Sequence, residues 1–311
     1  MRNFYRLILG KKSAFAAECF AGNYVGVDFG VNEDLSKKLP DEWRKFNQEY
    51  IPVIMKQSPG KTKIGAGLAA GALWTVSKGV QKGDILLCAD GAGSYRVAEV
   101  MGDYYFAKGE NLPHRRKVHW FDIVISRNDM SEPLRNSAGS IGTVVGPSAI
   151  TQYRDELEKL IQGKAAPQIT TNDTTIEDPH TFALEKHLED FLVTNWSQTD
   201  LGKEYDIYED EGEIVGQQYE TDTGPMDILA ISKDKKTLLV IELKRGRASD
   251  VVVGQVLRYM GYVQDELSEK NQKVRGLIIA MDDDQKIKRA LSAVPNIDFY
   301  RYQVSFKLVR G

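Results

Sequence analysis

Two apolar runs separated by a polar turn constrain this chain more than anything else in it. Gly224-Pro225-Met226-Asp227-Ile228-Leu229-Ala230 and Leu238-Leu239-Val240-Ile241-Glu242-Leu243-Lys244-Arg245 read as adjacent buried strands, with Ser232 to Lys236 as the hairpin tip between them. Asp227, Glu242 and Lys244 interrupt these runs. Side chains alternate faces along a strand, so Glu242 and Lys244 point the same way. Burying charges beside Ile241 and Leu243 is costly unless they are paired or bind a metal. Glu-x-Lys alone reads as a structural ion pair at a sheet edge. An aspartate one hairpin earlier and an amide-bearing helix just after shift the reading toward a site.

At 311 residues, with 42% hydrophobic and 27% charged residues, the chain has the size and composition of two ordinary globular domains. It contains no apolar stretch long enough to span a membrane, and Met1 to Arg6 lacks the apolar core of a signal peptide, so a cytoplasmic protein without membrane partners is expected. Cys19 and Cys88 are the only cysteines, which excludes a disulfide framework and a cysteine-rich zinc site. His114, His119, His180 and His187 show no zinc-ligand spacing. The net charge of -3 conceals an asymmetry: +5 over residues 1–165 against -8 over the remainder. A polyanion-binding half joined to a metal-using half fits that distribution.

Phe4 to Gly10 and Tyr24 to Phe29 read as strands, followed by a polar helix near Pro40 to Phe46 and a small-residue helix from Ile64 to Trp74. Pro59-Gly60-Lys61-Thr62 resembles the end of a phosphate-binding loop, but Met55 stands where its leading glycine belongs. Gly65, Gly67 and Gly71 are spaced one residue too long for a dinucleotide fingerprint. No nucleotide cofactor is expected. Lys82-Gly83-Asp84-Ile85-Leu86-Leu87, a Gly-rich turn, Tyr95-Arg96-Val97-Ala98-Glu99-Val100, Tyr104-Tyr105 and His114-Arg115-Arg116-Lys117-Val118-His119-Trp120 follow as short strands of a small curved β barrel.

That order, covering about residues 1–145, resembles the PUA-like/EVE superfamily, which includes reader domains of modification-dependent restriction enzymes. The resemblance implies a grip on a nucleic-acid backbone and an aromatic pocket for a flipped, modified base. Trp74, Tyr95, Tyr104, Tyr105 and Trp120 are the candidate walls, each equally able to be barrel core. Arg115, Arg116 and Lys117 are candidate phosphate contacts or a solvated strand end.

A helix from Ser148 to Ile161 and a polar, aperiodic run to Asp178 read as helix and linker, giving domains at 1–147 and 179–311 around residues 148–178. The second domain opens with a helix over Phe182 to Trp196, whose Leu184, Leu188, Phe191 and Leu192 form a buried stripe beside Glu185 and Glu189. Strands and helices then alternate as α-β-β-β-α-β-α-β, a mixed sheet flanked by helices. Gln255 and Tyr259, four apart after the Lys244 strand, share one helix face.

Gly224-Pro225-Met226-Asp227, then Ile241-Glu242-Leu243-Lys244-Arg245-Gly246, then Gly254-Gln255-Val256-Leu257-Arg258-Tyr259-Met260 is similar to the PD-(D/E)XK nucleases, in detail to the C-terminal catalytic domain of the NucS/EndoMS family. Those relatives usually carry Arg-Ile where this chain has Pro225-Met226, and residues 1–147 do not resemble a NucS DNA-binding domain, so mismatch cleavage is not implied. The resemblance implies that Asp227, Glu242 and the Leu243 carbonyl hold Mg2+ or Mn2+, that Lys244 orients water or neutralises charge, and that Glu185 reaches the metal through water. Gln255 and Tyr259 would position water or phosphate, with Glu220 a lesser candidate. The expected whole is a β-rich PUA-like barrel followed by a restriction-endonuclease-like α/β sheet: a homodimeric, metal-dependent DNA endonuclease acting in restriction of modified DNA. The alternatives are a repair endonuclease for mismatched or branched DNA, and a non-catalytic or RNA-directed binding protein.

Overall fold

Unbroken burial along the short strands β1 (Phe4–Leu7) and β2 (Tyr24–Val27) shows that the first sheet is covered on both faces. The computed structural model describes residues 2–139, 142–163, 188–210 and 213–303. With β3 (Ile85–Ala89), β4 (Ser94–Phe106), β5 (His114–Ser126) and β6 (Val144–Val145), these strands form one sheet in the order β2-β5-β4-β3-β1-β6. β1 and β3 are parallel and the other neighbours antiparallel.

Alternation sends Tyr5, Leu86 and Ala98 into one core, under helices α1 (Ala16–Gly22), α2 (Trp43–Gln57) and α3 (Lys63–Trp74). It sends Phe4, Leu87 and Tyr95 into another, under α4 (Glu132–Ala138), α5 (Pro147–Ile150) and α6 (Arg154–Ile161). Where a small, strongly curved barrel is expected, the described strands form an open path that ends at β2 and β6, and each face of the sheet carries its own layer of helices.

The small residues of α3 lie buried against the first core, and Thr62 caps the helix by accepting from the Gly65 N–H at 3.1 Å. That explains the Lys61-Thr62 pair without a phosphate. The expected boundary at residue 147 also moves. Leu157 and Leu160 complete the second core, the Phe4 N–H donates to Thr151 Oγ1 at 2.8 Å, and Arg2 pairs with Glu158, so α5 and α6 belong to the first unit. The chain divides into Met1–Thr170 and Thr171–Gly311.

The second unit keeps the expected order from the strand at Gln217 onward and adds a short helix, a short strand and a two-stranded ribbon ahead of it. After α7, described over residues 188–194, and α8 (Asp200–Glu204) come β7 (Tyr205–Ile207) and a small ribbon of β8 (Glu209–Asp210) with β9 (Glu213–Ile214). Then come β10 (Gln217–Thr221), β11 (Gly224–Ser232), β12 (Thr237–Arg247), α9 (Asp250–Tyr262), β13 (Lys273–Asp282), α10 (Gln285–Ser292) and β14 (Ile297–Arg301). The sheet runs β10-β11-β12-β13-β14, with β7 also pairing with β11. β12, β13 and β14 are parallel, joined by α9 and α10, which is the connection parallel strands require.

One sheet face buries Ile228, Ala230, Leu239, Ile241 and Leu243 with Trp196 and Leu201. On the other face α9 lies so close to Gly276 that a Cβ there would meet Val256 at 2.6 Å and Met260 at 2.8 Å. Gly276 pairs with Val240, so Val240 and, two residues on, Glu242 point toward the α9 side. Among the described residues no helix is long and apolar enough to cross a membrane.

Candidate active site

The antiparallel ladder between β11 and β12 ends at the rung Ile228 to Ile241. The next rung in that register would pair Asp227 with Glu242, and there the strands part. In place of a ladder bond, the Leu243 N–H donates to Asp227 Oδ2 at 2.7 Å. The N–H and C=O of one strand residue face the same edge, so the Leu243 carbonyl is also turned toward the split. On its other edge β12 stays locked to β13 as far as Lys244 and Ala280, which holds this end rigid.

Glu242 is 2% exposed, and its Oε1 accepts from Lys244 Nζ at 2.7 Å. Lys244 keeps 30% of its side chain exposed. Asp227 also accepts from Gln218 Nε2 through Oδ1 at 3.2 Å. Burial, the Glu242 charge and the Glu189 charge, in that order, push the Asp227 carboxyl well above the usual carboxylate range, against the Leu243 N–H and Lys244.

Glu189, on α7 and 3% exposed, is gripped by two consecutive glutamines. Gln217 Nε2 donates to Oε1 at 2.7 Å, and Gln218 Nε2 donates to Oε2 at 2.5 Å. Gln218 has φ +49°, a left-handed conformation that costs a non-glycine residue about 1 kcal/mol. Tyr259 is buried on α9; its hydroxyl donates to the Pro225 carbonyl at 2.8 Å and accepts from Gln255 Nε2 at 3.4 Å. Burial, with the Glu242 and Asp227 charges, raises the Tyr259 phenol above its ordinary value. Tyr259 thus ties α9 to the β11 strand end that carries Asp227.

Asp227, Glu242, Lys244, Gln255 and Tyr259 are therefore brought to one place. Glu220 lies on β10 opposite Pro225. Glu185 lies outside the described residues. Sequence reasoning assigned no role to Glu189, Gln217 or Gln218. Glu189 was detectable as an acid one helical turn beyond Glu185 on the same face. The glutamines were not, because strand alternation places consecutive residues on opposite faces.

The donor set fits a hard divalent cation: two carboxylates and a carbonyl, all oxygen, with acid charge that one lysine does not offset. Among the described residues no group of three or more His, Cys, Asp or Glu side chains is drawn together closely enough to hold a metal by itself. A cation held here would need the Leu243 carbonyl as an additional donor.

The first unit does not gather its candidates. Trp74 Nε1 donates to the Pro40 carbonyl at 3.0 Å. Trp120 meets Phe20 edge-on at 4.8 Å, and the Tyr104 hydroxyl joins the Leu35 N–H to His114. Those three aromatics pack on one core, whereas Tyr95 is buried in the other, donating to the Ala138 carbonyl at 3.0 Å. Tyr105 is half-buried on β4 opposite Arg115.

The phosphate contacts expected at Arg115 and Arg116 are corrected, since each is 5% exposed. Arg115 lies over the Tyr24 ring at 3.7 Å and serves the Leu112 and Asn111 carbonyls and Glu110. Arg116 serves the carbonyls of Val76, Gly102 and Val80. Both guanidiniums are spent on acceptors within the first unit. Lys117 alone of the trio is exposed.

Known proteins resemble the two units separately. Residues 5–145 match the family model of a domain of unknown function (DUF8426), and residues 185–303 match that of the endonuclease NucS C-terminal domain. A stretch of 75 residues is 35% identical to the endonuclease NucS of Methanocaldococcus jannaschii, covering 24% of this chain and 27% of that protein. Solved structures of an EndoMS complex with dsDNA (14% identity, TM-score 0.32) and of a repair endonuclease from Pyrococcus abyssi (16%, 0.31) each align over 68% of this chain and 62% of theirs. The chain thus spans about a quarter of the curated relative's length. Over residues 185–303 the second unit is similar to the endonuclease NucS C-terminal domain.

Proposed function

We propose that the chain is a metal-dependent DNA endonuclease in which the NucS-like domain hydrolyses phosphodiester bonds and the first unit selects the target. The observation that carries this reading is the parting of β11 from β12 directly beyond Ile228 and Ile241, which sets Asp227 against Glu242 with Lys244 beside them. Asp227, Glu242 and the Leu243 carbonyl would hold Mg2+ or Mn2+. A cation so bound acidifies a water and offsets the charge developing on phosphate. Lys244, tethered by Glu242 but open to solvent, directs its ammonium toward the position of an incoming phosphate oxygen or water. Gln255 and Tyr259 fix the strand end rather than meeting substrate, because the Tyr259 hydroxyl is bonded to the Pro225 carbonyl.

The relative named endonuclease NucS supports nuclease chemistry in the second unit. The reader that a restriction role requires has lost Tyr95, Arg115 and Arg116 to internal bonds. Cutting both strands takes two active sites, which a homodimer would supply.

The test is cleavage of unmodified DNA, mismatched DNA, cytosine-modified DNA and structured RNA with Mg2+ or Mn2+, by the wild type and by Asp227→Ala and Lys244→Ala. DNA cleavage lost in both variants is the expected result. Cleavage by either variant at the wild-type rate overturns the assignment.

A further inference from the structure

Consecutive residues of a strand point to opposite faces, yet Gln217 and Gln218 both reach the Glu189 carboxylate. The left-handed backbone at Gln218 makes this possible. The pairing of β10 with β11 keeps one register on either side of it, Gln217 to Ile228 and Tyr219 to Met226, so the kink re-aims a single side chain without slipping the strand. Gln218 stands opposite Asp227 in that register.

The result is a continuous chain of bonds. Gln217 takes one oxygen of Glu189, Gln218 takes the other and also Asp227 Oδ1, and the Leu243 N–H takes Asp227 Oδ2. Each carboxylate is held through both oxygens and cannot turn about its last torsion without breaking a bond. A purely structural strand would have no reason to keep a strained backbone at this one residue.

We infer that Gln218, assisted by Gln217, is a positioning residue that fixes Asp227 and Glu189 in the orientation a divalent cation requires. The inference rests on the metal-dependent reading of the site. It assigns Glu189 to the acidic side of the cation, linked to Asp227 through one amide. Groups that orient metal ligands in this way set affinity as well as activity.

Gln218→Asn and Gln218→Gly separate the amide from the backbone, because both replacements enter the left-handed region readily and neither reaches Asp227. The readouts are Mn2+ affinity by calorimetry on the full chain and thermal unfolding in EDTA, with Asp227→Ala as reference. Mn2+ affinity at least about tenfold weaker in both Gln218 variants, with EDTA midpoints near wild type, is expected. Wild-type affinity in the Gln218 variants alongside lost binding in Asp227→Ala overturns the positioning role and leaves the metal site standing. A lowered midpoint with unchanged affinity overturns it as well, by showing a structural role. Wild-type Mn2+ binding by Asp227→Ala removes the metal reading, and this inference with it.

Discussion

Leu243 gives its N–H to the Asp227 carboxylate at the point where the two strands that carry them stop pairing. A side chain thus replaces a ladder bond. The exchange satisfies the amide but leaves Asp227 beside Glu242 and Glu189, an arrangement that is unfavourable without a cation.

Asp227→Asn tests that cost directly. The carboxamide oxygen still accepts from Leu243 and the repelled charge is gone, at the loss of the long bond from Gln218, whose Nε2 then faces an amide nitrogen. DNA cleavage should fall at least about a hundredfold. The thermal midpoint in EDTA should stay level or rise, as at other sites where function is held against stability. A midpoint drop as large as that of a core truncation would show that the carboxylate stabilises the fold.

His114 gives the first unit a pH dependence. The Val31 carbonyl can only accept, so Nε2 carries the hydrogen toward it at 2.7 Å, and Nδ1 accepts from the Tyr104 hydroxyl at 2.9 Å. Burial holds this imidazole below its ordinary pKa of 6.5. The unfolded chain therefore binds the proton more readily than the folded one, and stability rises with pH between the two values. The contribution is complete above about pH 6.5 and lost as pH falls through the folded pKa. Urea unfolding of the wild type from pH 5 to 8 should show this slope, and His114→Gln should flatten it.

What could be read from sequence divides along physical lines. The strand pair around Asp227 and Glu242 was legible because unbroken apolar runs with isolated charges have few alternatives. The β-β-β-α-β-α-β order from β10 onward followed from the same periodicity, whereas α8, β7 and the β8–β9 ribbon were too short to leave one. The Gln217–Glu189–Gln218 network was hidden, since it depends on one left-handed torsion in a residue type that rarely adopts it. The barrel expected of the first unit failed for another reason. Short strands between glycine turns look alike whether the sheet closes or is covered by helices, and only the buried residues of α4 and α6 decide between them.

Arg116 and its neighbour Lys117 make the clearest contrast in the first unit. Arg116→Ala leaves the carbonyls of Val76, Gly102 and Val80 without their guanidinium and should cost about 3 kcal/mol or more in urea unfolding. Lys117→Ala, on the exposed side, should stay within about 0.5 kcal/mol. If Arg116 were instead a phosphate contact, the variant would keep its stability and lose salt-dependent DNA affinity, so unfolding and binding curves on one preparation separate the two.

Gly216 shows how closely the fold controls the site. It lies where β7 and β10 share one edge of β11: its N–H donates to the Tyr208 carbonyl, its carbonyl accepts from the Leu229 N–H at 2.6 Å, and a Cβ would stand 2.1 Å from the Leu229 carbonyl oxygen and 2.9 Å from the Tyr208 nitrogen. Both are backbone atoms, and Leu229 lies on the strand that carries Asp227, so relief requires moving the sheet rather than turning a rotamer. Gly216→Ala should therefore destabilise the second unit by about 3 kcal/mol. The displacement enters Gln217 and Gln218 next along the chain, so the folded fraction should also bind Mn2+ more weakly. Gly246→Ala, on β12 with nothing within 4 Å of its Cβ position, is the matched control and should leave both stability and Mn2+ affinity at wild-type values. Equal effects from the two substitutions would mean that loss of glycine flexibility, rather than the contact with Leu229, governs this edge of the sheet.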